Sequence, residues 1–369
     1  MRTDAAVASV AFMAFMMCAM GGCASSSVSS ELVYFPASPG TPRVVHLKSF
    51  NSLADLVRLR SRWADVFRGR PASPYVSTPA GIAYHNGHLY ICDTGLNVVH
   101  DWNLISGEAS RIGLSGDIML GKPVAVAVGS EGRHDGLGDT APLSTPIIYV
   151  ADAAGGQVVA FTSEGTPIAR YNPEKRSRYK PVAVAVYAST LYVADLASHG
   201  VDIFSVATGE LTGSIGTVGS APGKFYFPMG LAVDADGKLF VSDMMNARVQ
   251  VFDQSGSLQR TMGQPGDRYG DMGKPKHLSV GPDRTIFIAD SEFAHIHLFD
   301  SEGRLLLLIG GPEDTPGGTP MPLGVATAST LPERLAALVP SDFSARYFLF
   351  TTNTIASKRI SLFAVGSGR

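Results

Sequence analysis

Short apolar runs alternate with polar turns along most of the chain, and one phrase of this pattern recurs. Residues 239–252 read LFVSDMMNARVQVF, which is an apolar run, an aspartate, a polar turn and a second apolar run ending in phenylalanine. Further copies stand at 89–102, 148–161, 191–204 and 286–299. Runs of β-branched and aromatic residues separated by turn residues are typical of short strands joined by hairpins.

An acid and an aromatic residue keep the same separation in every copy. The acids are Asp93, Asp152, Asp195, Asp243 and Asp290, and each is followed nine positions later by tryptophan or phenylalanine. Upstream, prolines open further apolar runs near residues 79, 123, 181, 228, 275 and 322, the last four at equal intervals of 47. A repeat of this length built from short strands predicts a propeller with one four-stranded blade per repeat.

The sixth repeat ends before its outermost strand. Residues 322–365 offer only three strands, whereas residues 42–50 (PRVVHLKSF) have a strand pattern and no local partner. Pairing of this N-terminal strand with the C-terminal blade would close the ring and remove open sheet edges at the seam. We therefore predict an all-β fold, a six-bladed β-propeller over residues 32–369 that is closed by the segment 42–50.

The recurring acid has a functional and a structural interpretation. A carboxylate at a strand end can serve catalysis or bind a metal, and it can also accept backbone N–H groups in the turn after it. Five copies at one blade position cannot form a single active site, so the structural interpretation is favoured. In the sixth repeat Thr351, Thr352 and Asn353 stand where the acid would be, and we take Thr352 as its equivalent.

Several phrases resemble those of NHL-repeat propellers over about residues 32–366. They are P-x-G-[IVL]-A-V, LYVAD, RVQVFD and the longer GTVGSAPGKFYFP at 216–228. The opening LVYFPASPGTPRVVHLKSF is similar to the start of a group of bacterial six-bladed NHL-type lipoproteins. Members of that family are mostly recognition scaffolds, and a few relatives of this shape are lyases or lactonases. The resemblance therefore implies a binding scaffold and leaves an enzyme as the alternative.

The first residues carry an export pattern. An apolar run at 5–20 follows Arg2 and is too short for a membrane span. It ends in Met-Gly-Gly-Cys at 20–23, which resembles a bacterial lipobox with methionine in the place of the usual leucine. We predict a lipoprotein signal at 1–22, lipidation of Cys23 and a flexible tether at 23–31, with a plain secretory signal as the alternative. By the same resemblance Ala24, where inner-membrane lipoproteins tend to have aspartate, favours the outer membrane.

Composition and cysteine use agree with an exported β-rich protein. The net charge of −2 and the pI near 6.5 provide no positive field for nucleic acid. Cys18 lies in the predicted signal, so Cys23 and Cys92 are the cysteines of the mature chain. Because Cys92 stands where other copies have alanine or serine, we read it as a small buried side chain and not as a nucleophile.

An enzyme of this shape would place its acids or histidines along the central axis. The predicted innermost strands read AGIAY, VAVAV, VAVAV, MGLAV, KHLSV and LGVAT, and they contain no aspartate or glutamate. His277 is the one histidine among them, whereas a calcium or zinc site needs several converging ligands. His295 and His297 alternate on one strand face and could form a metal pair, and with His277 they are the three candidate metal ligands. We predict no cofactor and disfavour catalysis, although loops could still supply ligands.

Three irregular segments are candidates for a partner surface. Two are insertions between the first and second strands of blades two and six, at 129–146 and 328–346, which should flank blade one. The third is a basic segment at 52–70 with apolar residues at helical spacing and a helix-start box at Ser52 and Asp55. We interpret it as a helical cap, with contact to anionic lipid or an acidic partner as the alternative. The candidate surface residues are Arg58, Arg60, Arg62, Trp63, Arg68, Arg70, Arg133, His134, Asp135, Asp139, Glu333 and Arg334.

Two functional hypotheses follow from the sequence. The first is an envelope-anchored, non-catalytic scaffold propeller that mediates protein–protein interaction in a bacterial cell-envelope assembly. It would contact the membrane through its lipid anchor, bind a protein partner and bind no nucleic acid. The second is a propeller hydrolase or lyase with metal ligands carried on loops.

Overall fold

The computed structural model describes residues 32–368 with the exception of 38, 57–74, 115–117, 131–144, 174–175, 177 and 316. The predicted signal and tether, most of the basic segment and most of the blade-two insertion therefore lie outside the described residues. Residues from Val33 onward form one compact unit. None of the helices in the described ranges is long and apolar enough to cross a membrane.

The chain enters the described unit through two strands and one turn of helix. These are β1 (Val33–Phe35), β2 (Val44–Phe50) and α1 (Leu53–Leu56). The helix begins at a reciprocal capping pair, as the sequence predicts: the Ser52 N–H donates to Asp55 Oδ2 and the Asp55 N–H donates to Ser52 Oγ. Leu53 and Leu56 of α1 are buried in the core of the closing blade.

Each of the next blades is an antiparallel meander of four strands. Blade one contains β3 (Pro79–His85), β4 (His88–Asp93), β5 (Val98–Asn103) and β6 (Ala109–Ile112). Blade two contains β7 (Pro123–Ser130), β8 (Pro146–Asp152), β9 (Gln157–Phe161) and β10 (Pro167–Tyr171). Blade three contains β11 (Pro181–Tyr187), β12 (Thr190–Asp195), β13 (Gly200–Ser205) and β14 (Leu211–Ile215). The recurrent prolines therefore begin the first strand of each blade, and the recurrent acids end the second.

The second half of the chain repeats this order. Blade four contains β15 (Pro228–Val233), β16 (Leu239–Asp243), β17 (Arg248–Phe252) and β18 (Leu258–Met262), with a 3-10 turn at Met244–Asn246. Blade five contains β19 (Pro275–Val280), β20 (Ile286–Asp290), β21 (His295–Phe299) and β22 (Leu305–Gly310). The closing blade contains β23 (Pro322–Ala328), α2 (Glu333–Ala336), β24 (Phe343–Asn353) and β25 (Ile360–Gly368).

The first strands of the six blades form a closed ring. Each contacts its neighbour from β3 through β7, β11, β15 and β19 to β23, and β23 contacts β3. Their backbones approach so closely that a Cβ on Gly230 would lie 2.4 Å from the Lys276 carbonyl oxygen, and one on Gly81 would lie 2.6 Å from Ala125 Cα. Ring packing therefore requires glycine at these two positions, each of which lies two residues after the proline.

The closing blade combines strands from both ends of the chain, which confirms the predicted closure. Its order is β1-β2-β25-β24-β23, and β2 pairs with β25 from Val44 opposite Val365 to Phe50 opposite Ile360. The structure also has a strand that the sequence did not predict: β1 pairs with β2, Val33 opposite His46, and makes this blade five-stranded. The six-bladed all-β fold is confirmed.

The recurrent aromatic residue explains how the blades pack. Each one lies opposite the residue four positions before the acid, as Trp102 does opposite Leu89, and is buried between neighbouring sheets. The closing blade has Phe363 at this position, opposite Leu349. Burying such a ring contributes about 1.5–3 kcal/mol each. The acid and aromatic pattern thus identifies the second and third strands of a blade.

The alternation of strand direction gives the ring two distinct faces. We call the face on which the proline-led first strands begin the proline face. It contains the connections between blades and the turns between second and third strands. The hairpin face, on the opposite side, contains the turns between first and second strands and between third and fourth strands.

Candidate functional site

The five recurrent acids are buried and accept several hydrogen bonds. Asp93, fully buried at the end of β4, accepts the backbone N–H groups of Ser77 and Thr78 at 2.7 and 3.0 Å. It also accepts the N–H groups of Gly95 and Leu96 in the following turn. Asp93 therefore fastens the turn after the second strand to the segment that leads into the first strand of the same blade.

The same clamp occurs in the other blades with small changes. Each acid accepts a backbone N–H from the two residues before the proline: Lys122 and Gly121 to Asp152, Lys180 to Asp195, Tyr226 to Asp243, and Lys274 and Gly273 to Asp290. In blade four the N–H of Phe227 instead donates to His199 Nδ1 of blade three. A single geometry in five blades means that these carboxylates form hydrogen bonds within the scaffold and do not converge on one centre.

A second polar position, which sequence reasoning missed, faces the acid from the third strand. It lies seven residues after the acid and is occupied by His100, Asp202, Gln250 and His297, with Val159 in blade two. His100 Nε2 lies 3.2 Å from Asp93 Oδ2, and His297 Nε2 lies 3.5 Å from Asp290 Oδ2. The spacing of seven is visible in the sequence, but the varied residue types hide it.

Blade three places two acids side by side, and one arginine donates hydrogen bonds to both. The Arg176 guanidinium donates to both oxygens of Asp202, at 2.6 and 2.7 Å, and to Asp195 at 3.1 Å. Burial raises the pKa of Asp202, and Arg176 only partly opposes this effect. In blade four, Arg248 Nε donates to Asp243 at 2.9 Å.

The closing blade departs from the pattern, and the structure corrects the predicted equivalence of Thr352. Asn353, not Thr352, lies opposite Pro322, as each acid lies opposite its own proline. Thr352 takes the position before the acid, where its hydroxyl donates to the Ala80 carbonyl of blade one at 2.5 Å and accepts the Gly324 N–H. Asn353 Oδ1 has no hydrogen-bond partner among the described residues. The turn after Asn353 is one residue longer than the corresponding turns of the other blades, so the position equivalent to the acid lies one residue later than predicted.

Asp93 provides a test of the clamp through pH. Burial alone would raise its pKa, but the His100 imidazole and the N–H groups of Ser77 and Thr78 outweigh burial and hold the pKa at about 2. An unfolded aspartate titrates near about 3.9. Because the folded pKa is the lower one, the stability that Asp93 contributes is present above about pH 4 and is lost as the pH falls through about 2.

An asparagine at position 93 cannot titrate. We therefore expect the melting temperature of Asp93→Asn to decrease less than that of the wild type when the pH is lowered from 5 to 2. Calorimetry at fixed ionic strength would measure the melting temperature of both proteins as a function of pH. Equal dependence of melting temperature on pH in the two proteins would contradict the role of the Asp93 carboxylate.

The axial channel has a mainly apolar wall. A cavity of about 350 Å³ lies between the first strands, and alanine, valine, leucine and isoleucine make up most of its lining. Among the described residues that line it, His277 is the one histidine, and Ser279 and Thr327 bond to each other through their hydroxyls at 3.2 Å. The prediction that the innermost strands bring no acid to the axis agrees with this wall.

The surroundings of His277 keep its imidazole neutral near pH 7. Desolvation by burial, and then the positive charge of Lys276, lower its pKa to about 4. Burial also lowers the pKa of Lys276, whose Nζ lies 2.9 Å from Met244 Sδ. His277 occupies the position that is glycine or alanine in the other five blades. It is therefore a local exception within an otherwise repetitive ring.

The structure does not bring the three candidate histidines together as a metal site. His297 is buried beside Asp290, and His295 is half-buried at the start of β21. Within the described ranges, no group of three or more histidine, cysteine, aspartate and glutamate side chains is close enough to hold a metal ion. Cys92 is fully buried, and burial raises the pKa of its thiol.

The two faces of the ring differ in apolar exposure. Most of the exposed large apolar side chains lie in connections of the proline face: Tyr75, Leu114, Met119, Val218, Tyr226, Met245, Tyr269, Met321 and Ile355. The others are Ile105 on the hairpin face, Ile168 and Leu211 on fourth strands, and Leu32 before β1. The proline face is therefore the apolar one.

The faces also differ in charge among the described residues. The exposed acids in the connections of the proline face are Asp55, Asp267, Glu292, Glu313 and Asp314. The exposed basic side chains there outnumber them; they are Lys122, Arg178, Lys180, Lys224, Arg268, Lys274 and Lys358. The exposed basic side chains of the hairpin-face connections are Arg284, Arg304 and Arg334, together with Arg43 in the turn between β1 and β2. The exposed acids of these connections are Glu108, Glu164, Glu210, Asp236, Asp283, Glu302, Glu333 and Asp342. The sequence-averaged charge hides this asymmetry.

Of the predicted partner-surface residues, Glu333 and Arg334 lie in described segments. Both belong to α2 on the hairpin face, and the Arg334 guanidinium donates to the backbone carbonyls of Leu104 and Ile105 in blade one. Arg334 therefore links the blade-six insertion to blade one. Arg58, Arg60, Arg62, Trp63, Arg68, Arg70, Arg133, His134, Asp135 and Asp139 lie outside the described residues.

Comparison with known proteins yields the fold. No protein-family model and no curated protein matches the chain. A solved protein of unknown function from Bacteroides thetaiotaomicron is 16% identical with a TM-score of 0.55, covering 80% of this chain and 71% of that one. Virginiamycin B lyase from Staphylococcus aureus is 12% identical with a TM-score of 0.52, covering 78% and 95%. A streptogramin B lyase is also 12% identical, with a TM-score of 0.52 and coverage of 79% and 84%.

Proposed function

We propose that this chain is an envelope-anchored, non-catalytic propeller that binds protein partners in a bacterial cell-envelope assembly. The observation that carries the proposal is the use of the recurrent acids. All five are engaged in hydrogen bonds that hold individual blades together, so the residue type most suited to general acid–base work is committed to the scaffold. The apolar wall of the channel supports the same conclusion.

The two faces supply the recognition surfaces that a scaffold needs. Loops on a rigid framework commonly carry binding, and here the framework is a closed ring with different connections on each side. The proline face is basic and apolar, and the hairpin face is acidic. Two surfaces of opposite charge would allow the propeller to contact different partners at the same time.

Anchoring through Cys23 is the second part of the proposal. The apolar run at 5–20 and the Met-Gly-Gly-Cys sequence at 20–23 support export and lipidation, and several acyl chains would hold the protein on a membrane where one would not. Ala24 supports the outer membrane. The tether at 23–31 is rich in serine, which suits a flexible connection to the propeller.

Replacing the lipid-accepting thiol should release the protein from the membrane. We expect Cys23→Ser to shift the protein from the membrane pellet to the soluble fraction or to block removal of the signal, because the thioether cannot form. Cys18→Ser, which changes a cysteine inside the predicted signal, is the matched control and should fractionate like the wild type. Unchanged acylation and fractionation of Cys23→Ser would refute the anchor.

One observation keeps an enzyme as a second candidate. His277 stands in the channel with a pKa low enough to leave its imidazole available as a base at neutral pH. Solved propellers of similar fold include lyases, and a histidine-to-alanine variant of the virginiamycin B lyase is described as catalytically inactive. A hydrolase or lyase of this chain would have to combine His277 with ligands carried on loops.

A further inference from the structure

The distribution of exposed apolar side chains points to a flat partner. On the proline face they come from five of the six connections between blades, and Tyr75, Met119, Tyr226, Tyr269 and Met321 represent one connection each. Their side chains are between 42% and 76% exposed. A groove-binding peptide would need them gathered along one line, whereas side chains spread around a ring can all reach a planar surface together.

Basic side chains accompany the apolar ones on this face. Lys122, Lys180, Lys224, Arg268 and Lys358 are exposed, and none forms an ion pair with another described residue. Lys122 and Lys180 directly precede the prolines that open their blades, so they stand close to the channel mouth. A lysine or arginine near an anionic membrane surface contributes about 1 kcal/mol of attraction, and tyrosine is favoured where headgroups meet acyl chains.

The opposite face carries the complementary signal. The exposed acids of the hairpin face would be repelled by anionic headgroups, so the two faces together orient the molecule toward such a surface.

We propose that the proline face of the propeller lies against an anionic lipid surface. The apolar side chains enter the boundary between headgroups and acyl chains, and the lysines contact phosphate groups. The hairpin face then points away from the membrane and remains free for partners. The inference deepens the proposed envelope function and rests on it for the source of the membrane, but the surface itself is defined by described residues alone.

Vesicle binding tests the proposal without the lipid anchor. The chain that carries Cys23→Ser and lacks the predicted signal at 1–22 is sedimented with vesicles of equal parts phosphatidylglycerol and phosphatidylcholine, and with vesicles of phosphatidylcholine only. We expect binding to the first and at least about tenfold weaker binding to the second, with the difference reduced by salt. Equal binding to both compositions, or to neither, would overturn the proposal.

Matched variants locate the surface. In the same background, Lys122→Glu with Lys224→Glu reverses two charges on the proline face, and Arg284→Glu with Arg304→Glu makes the same change on the hairpin face. We expect the first pair to weaken binding to the anionic vesicles by about tenfold or more and the second pair to leave it unchanged. Equal losses in the two pairs would contradict the assigned face.

A second set of matched double variants tests the contribution of the apolar side chains to vesicle binding. Met119→Ser with Tyr269→Ser should weaken vesicle binding several-fold at high salt, where headgroup attraction is screened, and Ile105→Ser with Ile168→Ser should not. Thermal unfolding of every variant shows whether the fold is kept. If the proline-face variants bind vesicles normally but lose an acidic protein partner, the surface serves that partner and the lipid proposal is wrong. Fractionation of Cys23→Ser tests the anchor independently, so failure of one does not imply failure of the other.

Discussion

A chain that begins at Asn51 should fail to form a stable monomer. It lacks β1 and β2, which exposes the edge of β25 along the whole seam. It also lacks Val44, Val45, Leu47 and Phe50, which are buried in the cores on both sides of the closing blade. At about 1.5–3 kcal/mol for each large apolar side chain, the loss approaches the 5–15 kcal/mol that stabilises a typical domain. We expect aggregation or a collapse of the melting temperature, measured by light scattering and circular dichroism.

A shorter truncation separates the closing strand from the strand added to it. A chain that begins at Pro42 lacks β1 but keeps β2, and β1 pairs at only three positions. It should remain folded and monomeric with a small decrease in melting temperature. A stable monomer that begins at Asn51 would contradict closure by β2. The single change Phe50→Ala offers a milder test, with an expected loss of about 3–5 kcal/mol because Phe50 is fully buried.

Replacing any one recurrent acid by alanine should destabilise the propeller without abolishing partner binding by the molecules that remain folded. Asp243→Ala leaves the Tyr226 N–H without its acceptor and removes one of the acceptors of the Asn246 amide and of the Arg248 guanidinium. Stranding buried donors costs on the order of 1–3 kcal/mol. We expect losses of this size in each of Asp93→Ala, Asp195→Ala, Asp243→Ala and Asp290→Ala, measured by urea unfolding.

Asp236→Ala is the matched control, because Asp236 is exposed in a hairpin turn and should change stability by less than about 0.5 kcal/mol. The enzyme hypothesis predicts a different result. One aspartate would abolish function while its melting temperature barely changed, and the other three would behave differently. Such a pattern would show that the acid of that blade belongs to a functional site.

The fold was predictable because each blade repeats the same local chemistry. A proline opens the first strand, an acid ends the second and a buried aromatic residue lies on the third. The strands assigned in one blade can therefore be assigned in the others. Closure was predictable because 42–50 has a strand pattern and blade six lacks a strand. β1 was not, since three residues carry too little periodicity to register as a strand. The predicted equivalent of the acid, Thr352, lies one residue before the true one, Asn353, because the turn after Asn353 is one residue longer than in the other blades.

The candidate surface was harder to predict because it is assembled from separate connections. Lys122 and Lys224 are far apart in sequence, and their common face appears only when strand direction is known. The partner surface was instead predicted on the segments with the most irregular sequence. Arg334, chosen from such a segment, donates to backbone carbonyls of blade one. Residues that stand out in a repeat can therefore serve the contacts between repeats.

The most direct test of the scaffold function compares wild type and His277→Ala as lipidated proteins purified from native membranes after cross-linking. Quantitative mass spectrometry would measure the retained proteins, and elemental analysis would measure bound calcium and zinc. We predict a defined set of envelope proteins in near-stoichiometric amounts, the same for both chains, because His277 lines the channel and is not among the exposed side chains of either face. Absence of any retained partner, together with stoichiometric calcium or zinc that is lost with His277→Ala, would contradict a non-catalytic scaffold.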